Sequence, residues 1–271
     1  MTVVATFISQ SCTVHASDSL LTAVEADGSL RFIEWEQTKI VQVRAWNGAI
    51  AYYGLAGWEN GWQTLTWLRE QAALAGQYAS AQAFAEHLAS GLQAELLRLG
   101  LVGNRAVGVG LHFSAYERVE DRSVPELFHI RNVQDPTYAT LFPEGVRVTR
   151  ETWGVINGQP SALAHGDRGR RLQVHQFVRS DGWLRFNNGD PGLFNTVANA
   201  LQGAVLVLSQ RGQLRPLGVP EYTAIAHRSV ALVAQLQGEI GRPNARRVGG
   251  RIHNLAITPA GQYSSTTGDT T

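Results

Sequence analysis

Residues 2–19 read Thr-Val-Val-Ala-Thr-Phe-Ile-Ser-Gln-Ser-Cys-Thr-Val-His-Ala-Ser-Asp-Ser, and the fold class is read outward from them. Two short runs rich in β-branched residues, 2–9 and 12–17, are separated only by Gln10 and Ser11, which predicts a strand pair. Strand signals continue beyond it. Asp27-Gly28 marks a turn ahead of 30–36, residues 39–46 set Val41, Val43 and Ala45 on one face, and Asn47-Gly48 predicts a two-residue hairpin before 49–53.

The apolar period then changes. Trp62, Leu65, Leu68 and Ala72, followed by Phe84, Leu88, Leu92, Leu96 and Leu99, recur at three- and four-residue steps, which predicts two amphipathic helices. Strand patterns return at 105–115 and 126–133, and after a turn-rich stretch at 172–179 and 183–187. A second helix pair carries Phe194, Val197, Leu201, Val205 and Leu208, then Ile225, Leu232, Val233 and Leu236, with Pro220 near the start of the latter. Gly249-Gly250 precedes a closing strand at 251–258, and 263–271 reads as a polar, mobile tail.

Paired helices between groups of strands do not fit a parallel βαβ fold, where single helices alternate with strands. Two antiparallel sheets stacked face to face would each need a cover for the outer face, and each helix pair supplies one. The expected class is therefore α+β, a four-layer αββα sandwich, formed by one domain over residues 1–262 with an insertion around 135–172.

Composition narrows the function classes. Of 271 residues, 44% are hydrophobic and 17% charged, as expected for a chain with a substantial core. Lys+Arg 23 against Asp+Glu 22 leaves a formal charge of +1, which gives no electrostatic reason to expect nucleic acid or an anionic membrane as partner. One cysteine, Cys12, excludes an intrachain disulfide and a multi-cysteine metal site. No leader pattern and no apolar run of about 18 residues is visible, so the expected location is cytoplasmic. The eight histidines show no His-Glu-x-x-His spacing, and core or surface roles are expected for them.

Three segments carry a family resemblance. His15-Ala16-Ser17-Asp18-Ser19 is similar to a small-residue run ending in Asp-Ser in proteasome β-subunits and the related bacterial proteasome-like peptidases, which are N-terminal-nucleophile hydrolases. Thr38-Lys39-Ile40-Val41 resembles that family's lysine followed by an apolar strand, after a hairpin longer than usual. Tyr52-Tyr53-Gly54-Leu55-Ala56-Gly57 resembles the segment whose first glycine lines the family's active site, and Gly249-Gly250 resembles its closing strand element. The four-layer sandwich is also the family's fold.

The resemblance implies a threonine-type endopeptidase. Loss of Met1 would leave Thr2 with a free α-amine, and Thr2 would then supply both nucleophile and base. An α-amine of reference pKa about 7.7 to 8.0 suits neutral pH better than a lysine near 10.4. Lys39 would tune that amine and stabilise the alkoxide, Asp18 would hold Lys39 charged and oriented, and the Gly54 N–H would bind the oxyanion. Tyr52 would shape the substrate pocket. No metal or organic cofactor is implied. The implied partners are a peptide or unfolded protein as substrate and further copies in a homo-oligomeric ring, with an ATPase partner left open.

Some positions depart from the family pattern. Residues 245–248 read Ala-Arg-Arg-Val where the family has a serine and an aspartate, and a serine expected before the third helix falls near Gly189-Asp190-Pro191. An inactive ring or scaffold subunit therefore stays open, and so does a small-molecule amidase, because related amide-cleaving enzymes share this sandwich. Gly54 also has an alternative role, as the residue that permits a tight strand-to-helix turn.

Overall fold

The computed structural model describes residues 3–9, 11–24, 30–34, 37–58, 61–103, 107–119, 122–134, 140–151, 155–156, 159–160, 183–188, 191–241 and 248–268. The first sheet contains β1 (Val4–Ile8), β2 (Thr13–Asp18), β12 (Leu184–Asn188), β13 (Ile252–Ile257) and β14 (Tyr263–Gly268), in the order β12-β1-β2-β13-β14. The second contains β5 (Ile40–Val43), β6 (Gly48–Gly54), β7 (Val109–Val119), β8 (Arg122–Arg131) and β9 (Arg147–Glu151), in chain order. Every pairing in both is antiparallel. Two short hairpins stand apart, β3 (Leu21–Val24) with β4 (Leu30–Glu34), and β10 (Val155–Ile156) with β11 (Gln159–Pro160).

Helices cover the outer faces, giving the α+β layering that the sequence pattern implies. Helices α1 (Thr64–Leu74) and α2 (Ala81–Arg98) bury Leu68, Phe84, Leu88 and Leu92 against Ile50, Leu111, Phe113 and Phe128 of the second sheet. Each such side chain contributes roughly 1.5–3 kcal/mol by leaving water. Ser80 caps α2 by accepting the Ala83 N–H at 3.0 Å. Helices α3 (Pro191–Gln210) and α4 (Val219–Glu239) bury Phe194, Val197, Ala226, Val230 and Val233 against Val3, Ala5, Phe7, Val14 and Ala16 of the first sheet. Pro220 lies in the first turn of α4, and the Glu221 carboxylate accepts the Gly218 N–H at 3.0 Å.

Four local expectations are corrected. The segment 263–268 is a strand, β14, paired with β13 from Ile252↔Gly268 to Ile257↔Tyr263, and not a mobile tail. Within the turn-rich stretch, 147–151 forms edge strand β9, where Arg150 joins Glu117 at 2.9 Å and Glu126 at 2.8 Å. Strand β5 ends at Val43, and a 3-10 turn over Arg44–Trp46 closes on Asn47 in the left-handed region, replacing the two-residue hairpin. Although no uninterrupted apolar run exists, Gly192–Gln210 is long and apolar enough to cross a membrane by length and composition, and 17% of that window is buried. The expected strand at 172–179 lies outside the described residues.

The alternation of each strand divides its side chains between the outer cores and the space between the sheets. Val3, just before β1, and Ala5 and Phe7 on it face the α3 and α4 layer, while Val4 packs with Ala51 and Tyr53 of β6. The ends of β1 and β2 that meet at Val3 and Asp18 thus lie beside the strands that end in Gly54 and begin at Val109.

Candidate active site

Asp18 ends β2 and is fully buried. One carboxylate oxygen, Oδ1, accepts the Val3 N–H at 3.0 Å and a hydrogen bond from Lys39 Nζ at 3.1 Å; the other, Oδ2, accepts the Gly249 N–H at 3.1 Å. The ladder puts Asp18 here because Val4 pairs with Ser17, so the next residue of β2 meets the residue before Val4. Gly249 is held in turn, since its carbonyl accepts the N–H groups of Ser19 and Leu20. Gly250, at φ +73, takes a conformation that favours glycine and turns the chain into β13.

Lys39 precedes β5, is 1% exposed, and also donates to the Leu20 carbonyl at 2.8 Å. Burial pulls its ammonium below the ordinary lysine value, while the charge and hydrogen bond of Asp18 act in the opposite direction. The pair therefore joins the β3 hairpin, the second sheet and the start of β1 in one ionic contact. Its attraction is strong because water is excluded, and it offsets the cost of burying two charges only while both partners remain.

Gly54 ends β6 opposite Val109, at φ +84 and exposed. A Cβ there would stand 2.0 Å from the Gly108 carbonyl oxygen, so the backbone geometry alone demands glycine. It lies one strand from Lys39, whose carbonyl accepts the Tyr52 N–H at 3.0 Å. A cavity of about 320 Å³ on the α2 side, beyond the end of β8, is lined by Gln93, Leu96, Val102, Asn132, Leu141 and Phe142, and Asp18, Lys39 and Gly54 are not among its lining residues.

Of the residues singled out in the sequence, Asp18 and Lys39 are in contact and Gly54 is on the adjoining strand. Thr2 lies outside the described residues, as do 242–247, Gly189 and Asp190. Tyr52 requires a correction. It is 1% exposed and packs in the core beneath α1 and α2, so the pocket-lining role is withdrawn. The neighbouring Tyr53 faces the space between the sheets instead.

Sequence reasoning did not assign the polar network between the sheets. His15 Nε2 meets Ser114 Oγ at 2.6 Å, and Thr6 Oγ1 lies 3.0 Å from both His15 Nδ1 and His112 Nδ1. His112 Nε2 donates to Asn188 Oδ1 at 2.6 Å. With Asn188 as acceptor, His112 Nδ1 must accept from Thr6, Thr6 must accept from His15, and Ser114 donates to His15. The chain of hydrogen bonds thus runs one way across the interior. Burial, reinforced by His112, lowers His15 to about 3; burial, with Arg131 adding to it and the Asn188 bond opposing it, lowers His112 to about 4. His129 is also held well below the ordinary histidine value by burial, His112 and Arg131.

Among the described residues, no three His, Cys, Asp or Glu side chains are grouped to hold a metal ion. The histidines instead engage hydroxyls, an amide and a guanidinium.

No protein-family model matches the chain, and no curated protein matches it in sequence. Among solved structures it is similar to Anbu (ancestral beta-subunit) from Yersinia bercovieri, with 12% identity and a TM-score of 0.49, over 98% of this chain and 88% of that one. The assignment as two antiparallel sheets with helices on their outer faces rests on the elements described above.

Proposed function

We propose that the chain is a subunit of an N-terminal-nucleophile peptidase, in which Thr2, after loss of Met1, attacks peptide bonds and its own α-amine acts as base. The observation that carries this reading is the buried Asp18–Lys39 pair, whose shared oxygen also accepts the amide of Val3, the residue bonded to Thr2. A cation beside an amine disfavours its protonation and beside a hydroxyl stabilises a developing alkoxide, which is the role proposed for Lys39 toward Thr2.

In this reading the hydroxyl proton passes to the α-amine as Oγ1 bonds to the carbonyl carbon. The oxyanion is met by the Gly54 N–H, the amine then protonates the leaving nitrogen, and water hydrolyses the Thr2 ester. A donor of the Gly54 kind is typically worth about 10²- to 10³-fold in turnover. Retention of Met1 would convert the amine into an amide nitrogen and remove the base, so processing is part of the mechanism. The proposed setting is a homo-oligomeric ring in the cytoplasm acting on peptides or unfolded protein.

Intact-mass analysis of protein from its native host, with and without a peptide epoxyketone, tests the reading. Loss of Met1, an adduct on Thr2 and cleavage abolished by Thr2→Ala are the expected results. A retained Met1, or cleavage untouched by Thr2→Ala, would overturn it and favour a non-catalytic ring subunit.

A further inference from the structure

The proposed nucleophile and the proposed oxyanion donor belong to different sheets. Thr2 precedes β1 of the first, whereas Gly54 ends β6 of the second. Their separation therefore depends on how the sheets are spaced at this edge, and displacement of about 1 Å costs on the order of 10²-fold in rate. At the start of β1 the apolar packing between the sheets is small. Val4 meets Ala51 and Tyr53, with Val133 completing the cluster.

Tyr53 is the largest member, and its ring and its hydroxyl are both held by neighbours. It is fully buried, and its hydroxyl lies over Gly110, where even a Cβ would come within 2.1 Å of the oxygen. Tyr53 Oη is 2.5 Å from His129 Nε2, and the other ring nitrogen, Nδ1, contacts Arg131 Nη1. A guanidinium has only donors, so Nδ1 accepts from Arg131, Nε2 carries the proton, and His129 donates to Tyr53. Arg131 is held against the Phe142 ring, 5.9 Å from its centroid.

Resting on the function proposed above, we infer that Tyr53 and His129 are positioning residues for that reaction. Through Val4 they set the distance between the strand that carries Thr2 and the strand that ends in Gly54. Neither is assigned contact with substrate, so their loss acts on turnover and leaves binding alone.

The test compares Tyr53→Phe, His129→Leu and His129→Gln with wild type and with Leu88→Ala, a core truncation in α2. The readouts are kcat and KM on a fluorogenic peptide, the rate of Thr2 labelling by an epoxyketone, and Tm. Tyr53→Phe and His129→Leu are expected to lower kcat and the labelling rate at least tenfold with KM within twofold. His129→Gln, which again offers an acceptor to Arg131 and a donor to Tyr53, is expected to restore most of the rate. Leu88→Ala is expected to lower Tm while keeping kcat.

Wild-type kcat in folded Tyr53→Phe, or an equal loss in Leu88→Ala, overturns the inference. Should Tyr53→Phe not fold, His129→Asn decides in its place, because the shorter amide withdraws from Tyr53, and wild-type kcat there overturns it. Thr2→Ala separates the two levels. If that variant is inactive while Tyr53→Phe is unimpaired, only the inference falls; if it stays active, the proposed function falls as well.

Discussion

The Asp18 carboxylate binds the Lys39 ammonium at 3.1 Å through the same oxygen that accepts the Val3 amide at 3.0 Å. The pair is thus a structural tie for the chain's beginning as well as the centre of the proposed chemistry. Removing one member of a buried pair leaves the other charge without compensation, at about 3–5 kcal/mol. Asp18→Ala is expected to lose that much in urea denaturation and to lose hydrolysis. A loss below about 1 kcal/mol would show that the contact does not hold in solution.

Gly54→Ala is expected to fail for a backbone reason. At φ +84, a residue with a Cβ costs roughly 1–2 kcal/mol, and the Gly108 carbonyl already occupies the position the methyl would take. The β6–β7 pairing at Gly54 and Val109 should open, detected as faster amide exchange at Leu55, whose N–H donates to Gly108 O at 3.0 Å. Unchanged exchange would contradict the strain argument.

What the sequence revealed and what it concealed follow from how each signal arises. The helix pairs were legible because Phe84, Leu88, Leu92 and their counterparts repeat at the helical period, and Asp18 and Lys39 were found through local motifs. The placement of Tyr52 was not legible because β6 is buried on both faces. Ile50 and Tyr52 on one side, and Ala51 and Tyr53 on the other, are equally apolar, so alternation carries no polarity to tell inside from outside.

Strands β9 and β14 were hidden for a different reason. Arg147–Glu151 and Tyr263–Gly268 are edge strands of mainly polar composition, and edge strands commonly carry charge and polarity to discourage further pairing. The histidine network was concealed because single histidines spaced far apart in sequence meet only when the sheets stack. A histidine in an otherwise apolar strand, as at His112 and His129, was the one available sign.

The buried histidines predict a loss of stability in acid. Their folded values, about 3 for His15, about 4 for His112 and well below the ordinary value for His129, all lie beneath the unfolded value of 6.5. Above about pH 6.5 neither state binds these protons, and their contribution is fully present. As pH falls below that, the unfolded chain takes up protons that the folded chain refuses, so stability declines through the folded values. The slope is roughly 1.4 kcal/mol per pH unit for each ring, or about 4 for three. Thr6, Ser114, Asn188, Tyr53 and Arg131 face these rings, and none is a carboxylate that would favour the protonated form. Urea midpoints between about pH 7 and 4 should fall steeply, less so in His112→Gln; a flat profile would refute the buried neutral state.

The last prediction concerns the segment that reads as a tail. Strand β14 covers β13 over six residue pairs, and the Tyr263 hydroxyl donates toward the Val43 and Gly48 carbonyls at 3.4 Å each, bridging to the second sheet. Deleting 263–271 would uncover the β13 edge and remove this bridge together with the half-buried ring. A cost of about 2 kcal/mol is expected from lost hydrogen bonds and apolar burial, which lowers Tm by roughly 4–8 °C in a chain of this size. An exposed β13 edge also offers unpaired N–H and C=O groups to other molecules, so aggregation on heating should rise. Because β13 neighbours β2 along its whole length, the same deletion should loosen the strand that ends in Asp18. Equal Tm and equal Thr2 labelling in the truncated and full chains would show that β14 is dispensable to the sheet and to the site.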